Sequence, residues 1–118
     1  MGRQSELLGV WAEGRIEKYL TSKGMHVVDT RYASRFGEID LVFFDGDVLV
    51  FGEVKYRSSL AYGTPMEAVT PDKQRKLRLC ARQYLSEKGT EDCPCRFDVI
   101  ALWKENGRFK VRHIKNAF

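Results

Sequence analysis

The chain has 118 residues, 20 Lys and Arg against 16 Asp and Glu, a net charge of +4 and a pI near 9.0. With 43% hydrophobic residues it is long and apolar enough for one packed domain over 1–118, and too rich in core formers for disorder. No apolar run nears the ~20 residues that span a bilayer, residues 1–6 lack a signal-type apolar stretch, and three cysteines make an odd set for a disulfide framework. These features argue for a cytoplasmic chain without a membrane partner. They also argue against zinc, since Cys93-Pro94-Cys95 is tighter than a usual ligand pair and no second pair follows.

In chain order, Ser5 reads as the cap of a first helix. Leu8, Trp11, Ala12, Ile16, Tyr19 and Leu20 form its apolar stripe, Glu13 its edge and Gly24 its stop. Met25–Tyr32 reads as a short strand. Glu38–Phe44 and Val48–Tyr56 read as a hairpin around Asp45-Gly46-Asp47. A polar loop from Arg57 to Pro65 follows. Thr70-Pro71 then opens a second helix with Leu77, Cys80, Ala81, Tyr84 and Leu85 inward and Gly89 at its end. Phe97–Trp103 is a fourth strand and Phe109–Ile114 a fifth, at the edge. Helices before and after three strands predict an α/β domain, a mixed central sheet flanked by helices.

The hairpin carries the chemistry. Glu38, Asp40, Glu53 and Lys55 interrupt strands that otherwise hold Val42, Phe44, Leu49 and Phe51, and an unpaired charge in such a setting is costly. Side chains alternate along a strand, so any loop of even length brings all four groups to one face. An Asp45-Gly46 turn, which the sequence favours, sets Glu38 opposite Glu53. A Gly46-Asp47 turn sets Asp40 opposite Glu53. Carboxylates so opposed repel unless one is protonated or a cation bridges them. Mg²⁺, which takes one or two carboxylates, waters and substrate phosphate, suits that pair, and Lys55 is placed to position a water. A solvated ion-pair network is the structural alternative, disfavoured by the apolar residues between the acids.

Asp40 followed by Glu53-Val54-Lys55, with Glu13 on the preceding helix, resembles the PD-(D/E)xK signature of restriction-endonuclease-like nucleases. More narrowly, the chain resembles the YraN family of bacterial proteins, which are similar to Holliday-junction resolvases. The matching pieces are Gly37–Val42, Glu53–Arg57, Ala68–Lys73, Arg96–Val99 and Asn116–Phe118, spread over nearly the whole chain. The resemblance implies a restriction-endonuclease-like α-β-β-β-α-β core, Asp40 and Glu53 as ligands of Mg²⁺ or Mn²⁺, Lys55 as catalytic lysine, and Glu38 and Glu13 as supporting acids. It also implies a homodimer, since four-way junctions are two-fold substrates. Gly52 departs from the larger apolar residue of many relatives; it either admits a substrate backbone or weakens the strand.

The second helix carries Lys73, Arg75, Lys76, Arg78, Arg82 and Lys88 against Asp72 and Glu87, a suitable surface for phosphates. Lys73, Arg75 and Lys76, together with Arg31 and Arg57, are the candidate nucleic-acid contacts. Arg35 also flanks the hairpin. Tyr32, Tyr56 and Tyr62 fit packing better than base stacking, His26 and His113 read as structural, and Asp98 as a partner of Arg96. The combined expectation is a metal-dependent endonuclease acting on DNA, branched or damaged DNA included. The alternative is a nucleic-acid-binding module of the same fold that cleaves little or nothing.

Overall fold

The computed structural model describes residues 2–57, 69–90 and 92–118, with side chains described for 11–56, 69–90 and 92–118. The elements run α1 (Gly2–Ser22), β1 (His26–Ser34), β2 (Gly37–Asp45), β3 (Val48–Arg57), α2 (Pro71–Lys88), β4 (Cys95–Glu105) and β5 (Arg108–Ile114). The anticipated α-β-β-β-α-β order is therefore present, with β5 closing the edge. The Arg57–Pro65 loop and Tyr62 lie outside the described residues, apart from the backbone of Arg57 at the end of β3.

All five strands form one sheet in the order β1-β2-β3-β4-β5. Only β3 and β4 pair in parallel, because α2 lies between them in sequence and carries the chain back across the sheet; the other pairs are antiparallel. The helices cover opposite faces. Ala12, Ile16 and Leu20 of α1 pack on Leu41, Phe43, Val50, Ile100 and Leu102. Leu77, Cys80, Ala81 and Tyr84 of α2 pack on Val42, Leu49, Phe51 and Val99. A mixed sheet between two helices is the architecture the sequence predicts.

Helix ends follow local chemistry at α2. The Thr70 side chain accepts the Lys73 amide at 3.2 Å, Pro71 opens the helix, and Gly89 closes it in the left-handed region at φ 67°. At α1 the expected cap is corrected, since Ser5 lies inside a helix that begins at Gly2. Trp11, expected in the core stripe, is 37% exposed and rests edge-on against Tyr56 and Phe109.

Two hairpin expectations also change. Asp45 pairs with Val48, so Gly46-Asp47 is the turn rather than Asp45-Gly46, with Gly46 at φ 62°. Asp45 is retained in β2 because Arg96 Nη2 and Lys115 Nζ hold its carboxylate at 2.9 and 3.3 Å. Secondly, strict alternation breaks at Asp40. Ile39 packs with Val42 on the α2 side, whereas Leu41 and Phe43 pack on the α1 side. The slip falls where Arg31 of β1 adopts φ 52°, between the pairs Thr30–Leu41 and Tyr32–Ile39. Gly52 has a core reason: a Cβ there would meet Ile100 Cδ1 at 3.1 Å and Phe43 Cε1 at 3.2 Å, on the α1 side. Close approach of a substrate backbone does not explain it.

Candidate active site

The β2–β3 ladder runs from Asp45–Val48 to Leu41–Gly52, while β3 continues to Arg57 along β4. Beyond Leu41 the Val54 amide needs another acceptor, and Asp40 Oδ2 supplies it at 2.8 Å. The aspartate is thus held in the fork between two parting strands. One residue before that amide, the Glu53 side chain is only 5% exposed and receives two ammonium groups on Oε1, Lys73 Nζ at 2.8 Å and Lys55 Nζ at 3.2 Å. Glu38, Asp40 and Glu53 line an open cavity of about 600 Å³, whose other walls include the cap residue Thr70 and Lys73 and Lys76 of α2.

Burial, reinforced by the Glu53 carboxylate, pushes the Asp40 carboxyl up to about 7 against the opposing pull of the Val54 amide. Glu13, on α1, is also raised, chiefly by burial. Arg31 opposes that shift, with Nη1 at 3.2 Å from Glu13 Oε2, while Glu38 and Glu53 add to it. Glu13 Oε1 is buried without a hydrogen-bond partner. Asp40, Glu53, Glu13 and Glu38 therefore form one patch of mutually repelling carboxylates.

Among the described residues no group of three or more His, Cys, Asp or Glu is arranged to hold a metal ion. Two carboxylates beside an open, water-accessible cavity match Mg²⁺ or Mn²⁺, which keep waters and share substrate phosphate, better than a closed thiolate or imidazole cage.

The structure brings Glu38, Asp40, Glu53, Lys55 and Lys73 together, with Lys76 on the same cavity wall. Glu13 and Arg31 form a neighbouring pair, with the Arg31 side chain 40% exposed. Arg75 and Lys76 are both held by Asp72, at 2.9 and 3.1 Å, and Asp72 and Lys76 border the cavity. The Arg57 side chain lies outside the described residues. Sequence reasoning placed Lys73 only on a phosphate-facing helix and missed its contact with Glu53. Thr70-Pro71 fixes where the helix starts, but nothing local says which strand that start abuts.

Other polar residues are structural. Asp98, fully buried, accepts from Arg96 at 2.8 and 2.9 Å, meets His113 Nε2 at 2.6 Å and accepts the Asn116 amide at 2.9 Å. The expected Arg96 pairing is present, and His113 packs as anticipated. Tyr32 donates to Glu87 at 2.7 Å and stacks edge-on with Tyr84. No helix among the described residues is long and apolar enough to cross a membrane.

The pattern of the "Uncharacterised protein family UPF0102" matches residues 12–102, which contain every acid and lysine of the cavity. Among similar chains, a UPF0102 protein of Pelotomaculum thermopropionicum is 46% identical over 120 residues, covering all of both chains. One from Rhodococcus opacus is 45% identical over 112 residues, covering 94% of this chain and 95% of its own. Another, from Desulforapulum autotrophicum, is 42% identical over 118 residues, covering 100% of this chain and 98% of its own. With matches of this extent, spanning both helices and the strands that form the cavity, this chain belongs to the UPF0102 family.

Proposed function

We propose that this chain is a divalent-cation-dependent endonuclease of the PD-(D/E)xK type acting on DNA, branched or damaged DNA included. The observation that carries the reading is Asp40 and Glu53 in one open cavity bordered by a basic helix, with Lys55 paired to Glu53 at 3.2 Å. Supporting it are the proton affinity forced on Asp40 and the orphaned Glu13 Oε1, both signs of negative charge awaiting a counter-ion.

In this reading Asp40 and Glu53 hold Mg²⁺ or Mn²⁺, with Glu38 and Glu13 as supporting acids. When bound, the ion supplies a water of lowered pKa and neutralises charge on the phosphate. Lys55 is 15% exposed and anchored 3.2 Å from Glu53 Oε1, a position from which it orients the attacking water and stabilises developing negative charge. The Val54 amide fixes Asp40, so the acid enters the reaction already oriented. Lys73, Lys76, Arg75 and Arg57 supply the phosphate-facing charge, while Arg31 holds Glu13. We place the protein in the cytoplasm as a single domain over 1–118, and as a homodimer where the substrate has two-fold symmetry.

The test is cleavage of labelled linear, flapped and four-way DNA with Mg²⁺ or Mn²⁺, alongside Asp40→Asn and Lys55→Ala. Metal-dependent cutting that falls at least ~100-fold in both variants is expected. Binding without cutting under every metal condition would leave the second reading, a nucleic-acid-binding module of the same fold.

A further inference from the structure

The two ammonium groups on Glu53 Oε1 are not equivalent. Lys55 projects from β3 itself and is 15% exposed, whereas Lys73 is 43% exposed and reaches in from the first turn of α2. The backbone at Lys73 is fixed by the Thr70 cap, but its four-carbon stem faces the open cavity and is free to change rotamer. A carboxylate oxygen already holding two ammonium ions at 2.8 and 3.2 Å offers little room to a third cation. A divalent ion bound through Oε1, alone or together with Oε2, displaces one lysine, and the more exposed one yields more readily; an ion held by Oε2 alone would leave both in place. The acid next to it on its own helix, Asp72, is already held by Arg75 and Lys76. What remains is the cavity, where Glu38 or a substrate phosphate can receive it.

We propose that Lys73 is an exchangeable positioning residue: it is the counter-ion of Glu53 in the cation-free protein and the ligand of a substrate phosphate once a divalent cation takes Glu53. This rests on the cation-dependent reading above and adds an ordering to it. Cation binding releases the lysine that then grips the DNA, so the two ligands favour each other.

Two measurements test it, each on wild type, Lys73→Met and Lys73→Gln. Calorimetry with Mg²⁺ alone should show tighter binding in both variants, about tenfold if Lys73 occupies Glu53 nine-tenths of the time. DNA affinity across a salt series should separate the two states. With Ca²⁺ present, loss of Lys73 should flatten the slope of log K against log salt by about 0.9, one phosphate contact; in EDTA the slope should not change. Equal slope loss with and without Ca²⁺ means a fixed phosphate contact and overturns the exchange. An unchanged slope in both means the lysine moves to Glu38 or stays in place, and also overturns it. Mg²⁺ binding by wild type that the variants leave unaltered overturns the exchange alone. Absence of Mg²⁺ binding by wild type removes the cation site itself and the exchange with it.

Discussion

Asp40 is under opposing forces: burial and the Glu53 carboxylate favour its protonated form, while the Val54 amide at 2.8 Å favours the ionised one. The first pair wins, raising it to about 7. A carboxyl with a raised native pKa gives stability that is fully present below the unfolded value, near pH 4, and lost as pH rises through about 7. Wild type without divalent ions should therefore lose stability between roughly pH 4 and 7 by this route, with a ceiling of about 4 kcal/mol. Asp40→Asn should remove that loss and melt at a higher temperature than wild type at pH 8 in EDTA. Thermal denaturation at several pH values, with and without Mg²⁺, checks both, and Mg²⁺ should restore wild type but leave the variant unmoved. The acids Asp40 and Glu53 are legible in the sequence because charge in an apolar strand is conspicuous. The Asp40–Val54 bond is not, since it depends on β2 leaving β3 at that residue.

At the scale of the elements, β3 is both the edge of the cavity and the centre of the sheet, and its residues divide between those duties. Glu53 lines the cavity and Lys55 pairs with it, while Gly52 faces Ile100 and Phe43, both fully buried, on the α1 side. Gly52→Ala would gain about 0.4–1 kcal/mol from a stiffer unfolded chain. It would also press a methyl group to 3.1 and 3.2 Å from those side chains, and overpacking of that kind costs about 1–3 kcal/mol. Because neither neighbour has free space at the surface, we expect a net loss of about 1 kcal/mol, read from urea unfolding. A gain in stability would show that Ile100 can repack. The α2 boundaries were readable from Thr70, Pro71 and Gly89, whose conformational roles are local. The α1 start was not, because Ser5 has a capping side chain but the helix extends beyond it to Gly2.

Across the whole molecule, the last residues are tied to β4. Asn116 donates its amide to Asp98, Ala117 donates to the Phe97 carbonyl at 2.8 Å, and the Phe118 ring stacks on Phe97 at 5.2 Å. Arg78 of α2 lies over both rings, joining the chain end to the helix that borders the cavity. Asp98 is the buried centre of this arrangement, and its partners hold its carboxyl below the ordinary range despite burial. A lowered acid contributes stability above its unfolded value that is lost as pH falls through its native value. Asp98→Asn should thus lose about 2 kcal/mol at pH 7, because Arg96 keeps Asp45 but its charge-assisted bonds to the buried Asp98 carboxylate are lost. The gap to wild type should begin to narrow below about pH 4, where the unfolded-state acid takes up its proton, and close only as pH falls through the lowered native value. Chemical unfolding at pH 7 and pH 3 measures both.

The sequence by itself determined the α/β order, the helix signals at Thr70, Pro71 and Gly89, the apolar faces and the acids at 40 and 53. Each of these follows from local conformational preference or from the period of side chains along one element. Tertiary structure decided the turn register, through Arg96 and Lys115 on Asp45, and the slip in alternation at Asp40, beside the left-handed backbone of Arg31. It also decided the meeting of Lys73 with Glu53. Those contacts join residues 20 or more positions apart, or strands whose divergence depends on what packs on either face. No local period encodes them.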